Sequence, residues 1–92
     1  MKIEIADLGA WHGGARLLAE YDPEDDAIRV DAAAVERIRA ALGEAEAERF
    51  VRCAVAHERA HRAHPGIGEE AAHARARATC GVDPRAFEPY LR

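Results

Sequence analysis

Ninety-two residues make one small domain, near the lower size at which a chain folds alone, and an alanine-swollen hydrophobic content of 49% leaves it a modest core. A bound metal or a partner subunit would help such a core. The net charge of −4 argues against a nucleic-acid surface, no apolar run reaches the length of a membrane span, and the absence of serine excludes a serine nucleophile. The amino terminus lacks the basic-then-apolar pattern of an export signal, so the expected compartment is the cytoplasm. Cys53 and Cys80, far apart and without CxxC spacing, are accordingly expected as reduced thiols. Asn and Gln are also absent and Arg greatly outnumbers Lys, which fits a GC-rich or heat-adapted source.

Residues 2–5 alternate polar and apolar side chains and predict a short first strand. Gly9 and the Gly13-Gly14 pair then interrupt any regular pattern around Trp11 and His12, as in a loop or bulged edge. Alternation resumes from Ala15 to Tyr21. The turn residues Asp22-Pro23-Glu24-Asp25-Asp26 follow, and Ile28 and Val30 face one way on a returning strand, so residues 15–31 predict a β-hairpin. Asp31 can cap a helix carrying Val35, Ile38 and Leu42 at i, i+3 and i+7, with Gly43 as its stop.

A longer helix is predicted from Glu44, with acidic residues at its positive end, to about His64, where Pro65-Gly66 ends it. Phe50, Ala54, His57 and His61 share one stripe of it, facing inward. After Gly66-Ile67-Gly68, residues 69–80 predict an alanine-rich helix closed by Gly81. Asp83-Pro84 then supplies a cap and first residue for a last turn bearing Phe87, Tyr90 and Leu91. The expected fold class is α+β. An N-terminal β-hairpin or short antiparallel sheet packs on three to four helices, in a single domain over residues 1–92.

His57-Glu58-Arg59-Ala60-His61 is an HExxH pentapeptide on the long helix. Two imidazoles four residues apart project from one helical face, and a carboxylate beside the first can act as base for a water on a metal's open position. A catalytic zinc site needs a third ligand. The Pro-Gly-x-Gly break lets the chain reverse, so Glu69 or Glu70 in the first turn of the next helix can arrive there, with His64 and His73 also downstream. Each residue also has a structural reading. Glu69 and Glu70 suit any helix's first turn, Glu58 can pair with Arg62 at i+4, and Cys53 suits a buried small residue better than a fourth ligand.

With its pentapeptide, break and following glutamates, the sequence resembles the zincin metallopeptidases, in particular the gluzincin branch, in which a second helix supplies a glutamate ligand. Glu69-Glu70-Ala71-Ala72-His73-Ala74-Arg75-Ala76 is similar to the E-x-x-A pattern of that helix when Glu69 is the ligand. The order hairpin, helix, HExxH helix, glutamate helix is similar to the minimal zincins called minigluzincins and to the ImmA-type peptidases. The chain departs from the larger members in its short link between His61 and Glu69. It departs again at His73, which stands where those families place an Asp or Asn.

The resemblance implies a zinc-dependent peptidase acting on a peptide or protein substrate. His57, His61 and Glu69 would be the metal ligands and Glu58 the catalytic base, with Glu70 or His73 as an alternative ligand or supporting group. Tyr90, His73 or His64 would be the oxyanion donor. An edge strand within residues 15–30 could align an extended substrate by backbone pairing. The competing expectations are a zinc-stabilised regulatory or interaction module without turnover and an unmetallated helical partner protein. A homo-oligomer sharing its hairpin edge is compatible with any of these; nucleic acid and membrane are not expected partners.

Overall fold

The computed structural model describes residues 2–8, 18–82 and 84–91. They form three strands, three α-helices and a closing 3₁₀ helix, an α+β domain: β1 (Lys2–Ala6), β2 (Ala19–Asp22), β3 (Ala27–Asp31), α1 (Ala32–Leu42), α2 (Glu44–Ala63), α3 (Glu69–Cys80) and the 3₁₀ helix (Pro84–Tyr90). The loop around Trp11 and His12, the first residues of the expected hairpin and the Asp83 cap lie outside the described residues.

β2 and β3 form the expected antiparallel hairpin, with Tyr21 opposite Ile28 and Ala19 opposite Val30. β1 corrects the expectation of a purely antiparallel sheet. It pairs parallel to β3, giving the order β1-β3-β2. Alternation in residues 2–5 marks a strand but carries no direction. That is decided by the chain crossing from β1 to the far edge before β3 fills the centre. Central β3 is therefore the most buried strand, and Ile28 and Val30 are fully covered. On the opposite face Arg29 stands between Glu4 and Glu20 across both strand pairs, and its guanidinium also reaches Asp22 at 2.9 Å and Asp25 at 2.8 Å.

Asp31 ends β3 and begins α1. Its carboxylate is fully buried and accepts from the Ala34 amide at 3.1 Å, the expected cap, and from the Leu8 amide at 3.1 Å, which ties the segment after β1 to the same point. Gly43 ends α1 and starts α2 with φ of 94°, a conformation that a side chain would strain, so two helices meet without a loop. Ile28, Val30, Val35, Ile38 and Phe50 fill the core, and Phe87 of the 3₁₀ helix meets Phe50 edge to face at 5.3 Å.

α2 and α3 form an antiparallel hairpin about Pro65-Gly66, since His61 lies beside Glu69, His57 beside His73, and Cys53 beside Cys80. Cys53 and Cys80 are joined in a disulfide with Cα atoms 5.5 Å apart, within the range such bridges require. This corrects the expectation of reduced thiols. A separation of 27 residues hides the proximity that the helical hairpin creates. Disulfides persist in oxidising compartments and in intracellular proteins of heat-adapted organisms, so cysteine usage no longer favours the cytoplasm. Among the described residues, no helix is long and apolar enough to cross a membrane.

Candidate metal centre

α2 presents His57 and His61 one turn apart, with ring centroids 4.8 Å from each other. The first turn of α3 brings Glu69 between them. His57 Nε2 lies 3.1 Å from Glu69 Oε2, and His61 Nε2 lies 2.9 Å from Glu69 Oε1. Ligand atoms of these three residues all fall within 4.8 Å of one another. Two donors each held about 2.0–2.1 Å from a tetrahedral zinc sit roughly 3.3 Å apart, close to the two His–Glu69 spacings. The donor types, two imidazoles and a carboxylate, fit the ion as well.

Glu70, one residue on, is turned about 100° around the helix and instead meets Arg85 Nη1 at 2.6 Å. Glu58 lies beside the other nitrogen of His57, its Oε1 3.5 Å from Nδ1. A carboxylate there holds the ring with Nε2 aimed at Glu69, the outer support common to metal-binding histidines. Glu58 does not pair with Arg62, which reaches back to the hairpin: Nε donates to the Tyr21 hydroxyl at 3.3 Å and Nη2 lies 3.2 Å from Asp26. His73 stacks on His57 at 4.7 Å with 14° between planes, and its Nε2 is 3.8 Å from Glu69 Oε2.

His57, Glu58, His61, Glu69 and His73 line a cleft of about 560 Å³. Leu18, Ala19, Phe50 and Ala54 make its apolar part, and Arg85 and Glu88 of the 3₁₀ helix also line it. Tyr90 and His64 are not among its lining residues; Tyr90 is 43% exposed, and His64 lines a separate groove. Cys53 is fully buried in its disulfide. Sequence reasoning missed Arg85 and Glu88, because only the return of the chain after Gly81 brings them to the cleft. No family model, curated protein or solved structure matches this chain.

The hydrogen-bonded Glu58 carboxylate raises the His57 pKa above its ordinary 6.5, with burial opposing and Glu69 adding to it. In metal-free protein this contributes stability that is present below about pH 6.5 and lost as pH rises through the raised value. Zinc binding has the opposite slope, because it needs the neutral ring and competes with the proton. Thermal unfolding between about pH 6 and 8 should therefore show the gain in Tm from added zinc growing with pH. A zinc gain that is constant or shrinks would contradict ligation through His57.

Proposed function

We propose that this chain is a zinc-dependent peptidase of the zincin type, with His57, His61 and Glu69 as ligands and Glu58 as catalytic base. The observation that carries this is the convergence of two imidazole Nε2 atoms on the two oxygens of Glu69, in a cleft that Glu58 also lines. A bound zinc ion would supply Lewis acidity and lower the pKa of a coordinated water to about 7. The Glu58 carboxylate accepts a proton during attack on the peptide carbonyl and returns it to the leaving amine. Among the described strands β2 is an edge strand, and its first residue, Ala19, lines the cleft, so its outward backbone groups can pair with an extended peptide beside the histidines.

One observation favours a second function, a zinc-stabilised module without turnover. His73 Nε2 lies 3.8 Å from Glu69 Oε2, just outside the group of converging ligand atoms, and a site that drew it in as a fourth protein ligand would be closed to substrate. Glu58→Gln distinguishes the two. Glutamine keeps an acceptor for the His57 Nδ1 proton but cannot act as the base. With a peptide library as substrate, the peptidase should be stopped by a chelator. The Gln variant should keep its zinc while losing about 10²–10⁴-fold in rate. Zinc bound at one equivalent with no cleavage by the wild type would leave the module. No zinc at all would leave an unmetallated partner protein.

A further inference from the structure

The face of α2 turned away from the cleft forms, with β1 and α3, a second open groove of about 460 Å³. Its floor is Val55, Ala56 and Ala60, and Ile3 of β1, 47% exposed, stands on one bank. Arg52 and Arg59 of α2 and Arg75 of α3 line it, all three exposed. No described carboxylate lies within ion-pair distance of any of these three. By contrast Arg29, Arg39, Arg49, Arg62 and Arg85 each have an acidic partner. In a chain of net charge −4, three of the five described arginines that have no acidic partner thus line one apolar-floored groove, the other two being Arg37 and Arg77.

We propose that this groove binds an acidic amphipathic helix of a partner protein. The charge it presents calls for carboxylates, and its dimensions favour a helix over an extended segment. Arg52 and Arg59 are seven residues apart on one face, about 10.5 Å along the axis, which matches acids at i and i+7 of a helix lying alongside α2. Same-face side chains of a strand recur at multiples of about 6.7 Å and fall out of step with that spacing. Ala56, Ala60 and Ala63, at i, i+4 and i+7 of α2, give the groove a line of small side chains along which a helix can approach. Apolar residues on the incoming helix would meet this floor and Ile3, while its acids meet the guanidinium groups on both sides.

The test uses the whole chain and a fluorescein-labelled 18-residue helical peptide with a Leu/Ala stripe flanked by glutamates at i and i+7. Companion peptides carry Gln in place of those glutamates, or a central proline. Fluorescence anisotropy should show saturable binding of the acidic helix that weakens with salt. Binding should fall at least about tenfold for the Gln and proline peptides. It should fall equally for the Arg52→Glu/Arg59→Glu protein, with Arg52→Gln/Arg59→Gln as a second variant and circular dichroism as the folding control. Glu69→Gln should bind the peptide normally, which separates this surface from the metal centre. Absence of binding, equal binding of the Gln or proline peptide, or indifference to the arginine substitutions would overturn the proposal. So would binding of dodecanoate alone, which would assign the groove to small anionic amphiphiles.

Discussion

Glu69→Gln is expected to abolish tight zinc binding while leaving the helices formed. Glutamine preserves the shape of the side chain and removes its charge. Glu69 is the group on which His57 and His61 converge, at 3.1 and 2.9 Å, so its loss takes away the third ligand and the charge that balances the ion. Loss of an outer support to a ligand typically costs about 10–100-fold in affinity, and loss of the ligand itself should exceed that. Glu70→Gln is the matched control. Its carboxylate pairs with Arg85 on the exposed side of the same turn, and its removal should change zinc affinity little. Competition against a chromophoric chelator measures both. Wild-type affinity in Glu69→Gln would refute this ligand set, and a large loss in Glu70→Gln would move the third ligand by one residue.

The second large effect concerns stability. Opening the Cys53–Cys80 bridge, by phosphine reduction or by the double alanine variant, releases a loop spanning 27 positions. Chain-entropy reasoning puts the loss at roughly 3–4 kcal/mol, a large share of the 5–15 kcal/mol that holds a typical domain. For a domain of this size that should lower Tm by about 12–30 °C. Reduction of the wild type isolates the bridge, whereas the variant also removes buried volume at Cys53. The bridge joins the two helices that carry His57, His61 and Glu69, so zinc should be held less tightly in the reduced protein as well. A Tm shift below about 3 °C on reduction would show that packing alone holds the hairpin.

Local punctuation was legible in the sequence. Asp31, Gly43, Pro65-Gly66 and Gly81 bound the helices because capping and positive φ are properties of single residues. The HExxH face was legible for the same reason: i and i+4 share a side whatever else the chain does. Non-local features were not. The direction of β1 depends on which strand lies beside it. The position of Arg85 in the cleft depends on the turn after α3. The bridge had a signal that went unread. Folding two helices back on Pro65-Gly66 places residues equally distant from the turn side by side, and the register that brings His61 to Glu69 and His57 to His73 also brings Cys53 near Cys80. Helical register likewise separates Glu69 from Glu70, but which of them faced the histidines rested on their neighbours.

Every side chain that converges on Glu69, and the bridge beneath them, belongs to one helix-turn-helix between Cys53 and Cys80. The contacts of Glu69 with His61 and His57 close loops of 8 and 12 residues, against 25 for the parallel strand pair, and are expected to form early relative to it. The candidate metal centre is therefore kinetically local. Its candidate ligands can meet before the parallel strand pair closes, and the cleft wall that Leu18, Ala19 and the 3₁₀ helix contribute is then added around side chains already in place.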